Sequence, residues 1–200
     1  MKNLDVIYLF DWGNTLMFDD PTQHGKMLHW PTILAMPGAK ETLKHLCASH
    51  AIYVATNAQD SNESEIQQAF QRVELDQYIS GYFCKANLGI DKNDSAYYSR
   101  IAEKLNVRCN QLVMVGDTLE KDIVPALAAG CQAIYLNREN RKVSGAISQI
   151  HSLDALINKT ALHHAKSSSN GPLRSKCFRL GSSWPKVSGA DIPAACMKAK

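Results

Sequence analysis

Short runs of consecutive hydrophobic residues alternate with longer amphipathic stretches over the first 157 residues of the chain. The runs at 6–10, 51–55, 112–115 and 133–136 predict strands that are buried on both faces of a parallel sheet. A shorter run at 82–84 predicts a fifth strand. The alternation therefore favours an α/β protein over an all-α or all-β one.

The amphipathic stretches predict four helices, at 39–49, 63–73, 95–105 and 120–129. Asp94 stands at the N-cap position of the third helix, where its side chain can accept hydrogen bonds from free backbone N–H groups. Parallel strands need crossover connections, and here those connections are helices. We therefore expect a three-layer α/β/α fold with a doubly wound, mostly parallel sheet.

Charge divides the chain into a mildly acidic body and a basic tail. Residues 1–157 hold 14 Lys and Arg against 18 Asp and Glu, whereas residues 158–200 hold eight against one. The tail is rich in Ser, Gly and Pro and has little hydrophobic periodicity, which predicts a disordered C-terminal segment. A basic arm that contacts nucleic acid or an acidic partner is the alternative interpretation.

Composition excludes several classes of protein. Hydrophobic residues make up 45% and charged residues 20% of the 200-residue chain, which is typical of a globular domain. No apolar run approaches the ~20 residues of a membrane span, and the N-terminus lacks the pattern of a secretory signal. The six cysteines are scattered without a C-x-x-C pair, which argues against a zinc site or a redox dithiol. We expect a cytoplasmic protein with reduced thiols.

Polar residues follow three of the predicted strands at their carboxyl ends. In chain order they are Asp11, Thr15, Thr56, Asn57, Asp117 and Asp122. Ligands of doubly wound sheets bind beyond the carboxyl ends of the strands, so we expect these side chains to share one rim. Lys92 lies in a polar loop before the third predicted helix and is expected to join them, with Lys85 as a nearby rival.

This set of residues suits phosphoryl transfer. Two converging carboxylates repel each other, and Mg²⁺ relieves that repulsion while binding substrate phosphate. An Asp can attack phosphorus and form an aspartyl-phosphate, which divides one difficult displacement into two easier ones. Hydroxyl, amide and ammonium groups can then hold the phosphoryl oxygens, where charge accumulates.

Four segments resemble the motifs of the haloacid-dehalogenase-like (HAD) hydrolase superfamily. Residues 10–16 resemble the first motif, D-x-D-x-T, and residues 54–57 resemble the second, a strand that ends in Ser or Thr. Residues 89–94 resemble the segment that carries the motif lysine, and residues 115–122 resemble the fourth motif, G-D-x-x-x-x-D. The resemblance implies the HAD-like Rossmannoid fold for residues 1–157.

The resemblance also implies roles for the rim residues. Asp11 would be the nucleophile, and Lys92 would neutralise it and the phosphate. The implied Mg²⁺ ligands are Asp11, the backbone carbonyl of Gly13, Asp117 and Asp122. The implied phosphate-binding residues are Thr15, Thr56, Asn57 and Lys92. The substrate would be a phosphorylated small molecule or a phosphorylated macromolecule.

Gly13 departs from the first motif, because phosphatases of this superfamily carry a second Asp two residues after the nucleophile. That Asp protonates the leaving group and later activates water, and glycine can do neither. General acid–base catalysis contributes about 10²–10⁴-fold. We therefore expect a slow or specialised hydrolase that acts on phosphate esters or anhydrides. The alternative is a catalytically inactive protein that binds phosphate or a partner.

Residues 17–36 form a short, cap-like insert between the first motif and the first helix. By resemblance, so small a cap leaves the site open to a large substrate, or to closure by a partner or a second subunit. The insert contains four titratable side chains: Asp19, Asp20, His24 and His29. One of them could replace the missing acid, and a solvated loop is the alternative interpretation for each.

Overall fold

Six parallel strands form one sheet in the computed structural model, which describes residues 6–143 and 145–158. The strands are β1 (Ile7–Phe10), β2 (Ala51–Ala55), β3 (Gly81–Phe83), β4 (Leu112–Gly116), β5 (Gln132–Leu136) and β6 (Gln149–Ile150). Their spatial order is β3-β2-β1-β4-β5-β6, and every neighbouring pair is parallel.

Helices cover both faces of this sheet. They are α1 (Ala39–Leu46), α2 (Glu63–Arg72), α3 (Lys85–Leu88), α4 (Ser95–Leu105) and α5 (Val124–Ala128). Successive residues of β1 face opposite sides: Tyr8 and Phe10 join the hydrophobic core formed with α1 and α2, whereas Ile7 and Leu9 join the core formed with α4 and α5. The predicted three-layer α/β/α fold is therefore confirmed.

The predicted elements agree closely with the observed ones, with three main differences. The short helix α3 was not predicted. The sixth strand, β6, was not predicted, because two residues are too few to show a hydrophobic pattern. The helix predicted at 120–129 consists of a π-helical turn, Leu119–Ile123, followed by α5. Pro125 lies in the first turn of α5 and has no N–H to donate, which interrupts the regular helical hydrogen bonding there. Asp94 caps α4 as predicted, and its side chain accepts a hydrogen bond from the backbone N–H of Ala96 at 2.9 Å.

The insert at 17–36 is fixed against α2. The guanidinium of Arg72 donates hydrogen bonds of 2.7 Å to the carbonyls of both Leu28 and Trp30. Lys26 forms an ion pair with Glu65 at 2.6 Å. These contacts place the insert over the carboxyl ends of the strands, where the candidate site lies.

The basic tail predicted at 158–200 lies, apart from Asn158, outside the described residues, as do residues 1–5 and 144. Within the described part of the chain, no helix has both the length and the hydropathy needed to cross a membrane.

Candidate active site

The sheet changes direction between β1 and β4. The chain leaves β1 for β2 and β3 on one side and returns to β4 on the other, so two strands distant in sequence become neighbours. Asp11 directly follows β1 and Asp117 directly follows β4. The backbone N–H of Asp11 donates to the carbonyl of Val115 at 2.9 Å, which continues the β1–β4 ladder by one residue. Such a switch point is where doubly wound sheets bind ligands.

Three carboxylates converge at this point. One oxygen from each of Asp11, Asp117 and Asp122 lies within 4.8 Å of the others. The buried Thr15 hydroxyl lies 3.3 Å from Asp11 Oδ2 and 3.4 Å from Asp117 Oδ1, and its proton can serve one of them at a time. Thr15 therefore joins the two strand ends.

Lys92 is a buried cation of the site. Its side chain is 1% exposed, and its Nζ lies 2.5 Å from Asp11 Oδ1, 2.7 Å from Asp122 Oδ1 and 2.7 Å from the carbonyl of Ala55. A lysine ammonium has three protons, so these acceptors use all of them. Lys85, the rival lysine, is instead 41% exposed and pairs with Asp91 at 3.0 Å.

Asp122 is held in place from two sides. Besides its Oδ1 contact with Lys92, its Oδ2 accepts a hydrogen bond from the backbone N–H of Thr118 at 2.9 Å. A Cβ atom at Gly116 would lie 2.2 Å from that oxygen, so only glycine leaves room for the carboxylate. The glycine of the G-D-x-x-x-x-D pattern thus has a packing role.

The electrostatics of the site favour a bound cation. Burial raises the pKa of Asp11 to about 7; Lys92 opposes this rise, whereas Asp122 and Asp117 add to it. Burial and the nearby Asp122 also raise the pKa of Asp117. Burial lowers the pKa of Lys92, but Asp11 and Asp122 outweigh it and the net shift is upward. One lysine thus leaves repulsion between the carboxylates, and a divalent cation fits this donor set.

Thr56 and Asn57 directly follow β2, which neighbours β1 on the side away from β4. Thr56 Oγ1 accepts the backbone N–H of Ala58 at 3.2 Å, and a hydroxyl that accepts one hydrogen bond can still donate its own proton. Asn57 Oδ1 accepts the backbone N–H of Lys92 at 3.1 Å, so this side chain positions the lysine loop.

Arg138 belongs to the site although no motif indicated it. Its guanidinium donates hydrogen bonds to the carbonyls of Asn14 and Thr15. Asn14 has a φ of 53°, a left-handed conformation that Asn tolerates better than most residues, and Arg138 fixes this turn. The sequence did contain an indication of Arg138. Because β5 ends at Leu136, Arg138 follows a strand end and lies at the rim that the carboxyl ends of the strands form.

Two buried tyrosines support the loops from below. Tyr97 OH lies 2.9 Å from the carbonyl of Phe83 and 3.2 Å from that of Thr56, and its one proton can serve one of them at a time. Tyr98 OH donates to the carbonyl of Asp122 at 3.0 Å. Both tyrosines are buried in the core, and the amphipathic pattern that predicted the helix at 95–105 gave no sign of their hydroxyl contacts.

A cleft of about 400 Å³ opens above these residues. The rim residues line one side of it, and the insert contributes Asp19, Gly25, Lys26, Met27 and Trp30. Trp12 and Trp30 are 5% and 7% exposed, so each both lines the cleft and fills the core. His24 and His29 are exposed and lie outside the described lining of the cleft.

Comparison with known proteins assigns the chain to a family. The family model for haloacid dehalogenase-like hydrolases matches residues 13–130, and the chain belongs to this family. Its sequence is 26% identical over 132 residues to pyrimidine 5'-nucleotidase YjjG of Escherichia coli (strain K12), with 62% of this chain and 57% of the relative covered.

Two further comparisons give another relative and a structure with the same fold. The chain is 33% identical over 104 residues to ribulose-1,5-bisphosphate 5-phosphatase of Halopiger xanaduensis, with 51% of this chain and 42% of that protein covered. The chain thus spans about half the length of these curated relatives. The crystal structure of an uncharacterized protein from Listeria monocytogenes serotype 4b shares the fold, with a TM-score of 0.70, 20% identity and coverage of 80% of this chain and 99% of that one.

Proposed function

We propose that this protein is a Mg²⁺-dependent hydrolase of phosphate esters or anhydrides that works through an aspartyl-phosphate on Asp11. The observation that carries the proposal is the position of the Asp11 carboxylate, which has different neighbours at its two oxygens. Its Oδ1 contacts the Lys92 ammonium, and its Oδ2 lies on the side of Thr15 and Asp117. Such an arrangement keeps one oxygen oriented while the other faces the proposed cation.

The chain's own residues divide the work. Asp11, Asp117 and the carbonyl of Gly13 would hold Mg²⁺, and Asp122 lies close enough to support it. When bound, Mg²⁺ neutralises the carboxylates and holds a phosphoryl oxygen. Lys92 favours the ionised, nucleophilic form of Asp11 by direct contact.

The phosphoryl group would lie between the ends of β1 and β2. Thr56 can donate its hydroxyl proton to a phosphoryl oxygen there. We propose that Thr15, Asn57 and Lys92 also bind the phosphoryl group. Since Lys92 already serves three acceptors, we assign it mainly to charge neutralisation, and it would have to exchange a partner to bind phosphate directly. Since Asn57 Oδ1 binds the Lys92 backbone, phosphate would meet its amide NH₂ group.

The substrate that we propose is a phosphorylated small molecule. One of the two curated relatives is named as a pyrimidine 5'-nucleotidase and the other as a ribulose-1,5-bisphosphate 5-phosphatase, and each name refers to a small phosphorylated compound. A cleft of about 400 Å³ suits a ligand of that size. We also propose a cytoplasmic location, which the free thiols of Cys47, Cys84, Cys109 and Cys131 support. A nucleic-acid contact through the tail at 158–200 rests on residues outside the described part and is not included.

The test is a phosphatase assay over a panel of nucleotides, sugar phosphates and acyl phosphates, with Mg²⁺ and with EDTA. We expect Mg²⁺-dependent turnover by the wild type and a loss of several orders of magnitude in Asp11→Asn, because the nucleophile is gone. Asp20→Asn, which makes the same chemical change in the neighbouring insert, is the matched control and should retain activity. Equal rates for Asp11→Asn and the wild type would contradict the proposal and favour an inactive phosphate-binding protein.

A further inference from the structure

The space beside Gly13 is filled by the side chain of Asp19. A Cβ atom at Gly13 would lie 3.2 Å from Asp19 Oδ2, 3.3 Å from its Cβ and 3.4 Å from its Cγ. These distances are shorter than ordinary carbon contacts, so a larger residue at position 13 would compete with Asp19 for the same volume. The glycine that removes one carboxyl group from the first motif thus makes room for another.

The backbone of the insert brings Asp19 to this position. The side-chain Oδ1 of Asn14 accepts the backbone N–H of Asp19 at 3.1 Å, and the N–H of Asn14 donates to the carbonyl of Met17 at 2.7 Å. Arg138 binds the carbonyl of Asn14 from the other side. The chain therefore folds back over position 13 through a turn that is anchored at both ends.

Asp19 is the acidic residue of the insert that lines the same cleft as the candidate reacting groups. It lines the cleft together with Asp11 and Lys92, and none of the described residues forms an ion pair with its carboxylate. Asp20, by contrast, uses its carboxylate to accept the N–H and hydroxyl of Thr22, at 2.9 and 2.7 Å. Asp60 also lines the cleft but follows β2, away from position 13 in the chain, and is the rival to be tested.

We propose that Asp19 is the general acid and base of the reaction, in the place of the residue that Gly13 lacks; this role rests on the proposed function. In the first step, Asp11 Oδ attacks phosphorus, the bond from phosphorus to the leaving oxygen breaks, and the protonated Asp19 carboxyl gives its proton to that oxygen. In the second step, the Asp19 carboxylate takes a proton from water. The water oxygen attacks phosphorus, and the bond to Asp11 breaks. Alcohol and phosphate are released, and Asp19 is protonated again.

Leaving-group dependence tests this role in the full-length protein. Asp19→Asn should lower kcat/KM for phenyl phosphate, a poor leaving group, by about 10²–10⁴-fold. Its first turnover of 2,4-dinitrophenyl phosphate should stay within a few-fold of wild type, because that leaving group departs without a proton. The phosphoenzyme should then accumulate, as detected by acid quench and mass spectrometry, because the base for water is missing. Asp20→Asn should behave as wild type with both substrates.

Relocating the carboxyl group provides a second test. Replacing Gly13→Asp and Asp19→Gly together moves the acid to the other position and removes the overlap, and should recover phenyl phosphate turnover relative to Asp19→Asn.

If Asp19→Asn matches wild type while Asp11→Asn is inactive, the role of Asp19 is wrong and the proposed function stands. Asp60→Asn producing the leaving-group effect instead would also overturn it. The role of Asp19 would also be contradicted if Asp19→Asn lost activity equally with both substrates and no phosphoenzyme accumulated. Equal rates for Asp11→Asn and wild type overturn the proposed function itself.

Discussion

Lys92 Nζ and Asp11 Oδ1 lie 2.5 Å apart, although 81 residues separate them in the chain. The lysine reaches the aspartate from the loop before α4, under the end of β2, where the Ala55 carbonyl holds it. Asp11 therefore has its charge partner in place before any substrate binds. Preorganised charge of this kind spares the reorganisation that catalysis in water requires.

Replacing Lys92 should be costly for folding as well as for activity. Lys92→Met leaves the carboxylate of Asp11 and the buried carboxylate of Asp122 without their cation, and we expect a loss of about 3–5 kcal/mol in the free energy of unfolding. Chemical denaturation measures it. Lys85→Met is the matched control: its ion pair with Asp91 is exposed, so the unfolding transition should not move measurably. A similar effect of the two substitutions would contradict the assigned burial of Lys92.

The raised pKa of Asp11 predicts a pH dependence of the metal-free protein. A carboxyl group whose pKa is higher in the folded than in the unfolded state binds more protons when folded, so its contribution to stability decreases as pH rises. For Asp11 the decrease should extend from its ordinary value of about 4 to about 7.

Thermal unfolding of wild type and Asp11→Asn in EDTA isolates this contribution. The stability of wild type relative to the variant should fall between pH 4 and 7, and Mg²⁺ should restore it at neutral pH by neutralising the carboxylate. A difference that stays constant or grows with pH in EDTA would contradict the pKa shift.

Arg138 should matter more for the site than its absence from the motifs suggests. Arg138→Met removes the donor that holds the Asn14 and Thr15 carbonyls, so the turn that carries Gly13 and Asp19 loses its anchor. We expect kcat/KM or the Mg²⁺ affinity to fall by about 10-fold or more. An activity assay measures the first quantity and calorimetry the second. Arg141→Met, which breaks an exposed pair with Glu139, is the control and should leave both unchanged. Equal effects would show that Arg138 has no special role.

Two glycines of the site should tolerate alanine to different degrees. Gly116→Ala places a Cβ atom 2.2 Å from the buried Asp122 carboxylate, and we expect it to destabilise the fold by about 1–3 kcal/mol and to displace Asp122 from Lys92. Gly13→Ala meets the exposed Asp19 side chain at 3.2 Å, which can give way, so its effect should appear in turnover and hardly in stability. Denaturation midpoints and kcat measured side by side check this contrast, and the reverse order would refute it.

Most of the fold follows from patterns that are local in sequence. Residues 6–10 are hydrophobic without alternation, because β1 lies between two neighbouring strands and both of its faces are buried. The meeting of Asp11 and Asp117 followed from the rule that strand ends share a rim, without any knowledge of their distance. The strand β6 could not be predicted, because its two residues are ordered by their pairing at the edge of the sheet and show no hydrophobic pattern of their own.

The finer parts of the site depend on three-dimensional packing that the sequence does not display. Lys85 and Lys92 are equivalent in a pattern of hydrophobic and polar positions, and only burial separates them. The contact between Gly13 and Asp19 depends on the left-handed turn at Asn14, which no periodicity encodes. The contacts of Arg138 depend on the same turn, so neither these contacts nor the proximity of Gly13 and Asp19 could be predicted from the sequence.

A crystal structure with Mn²⁺ in place of Mg²⁺ and with beryllofluoride as phosphoryl mimic tests the central claim most directly. The account predicts an anomalous peak between the carboxylates of Asp11 and Asp117, and a beryllofluoride group joined to the free oxygen of Asp11 with Thr56 beside it. An ion bound elsewhere, or beryllofluoride that does not join Asp11 at saturating concentration, would contradict the shared-cation site and the aspartyl-phosphate that depends on it.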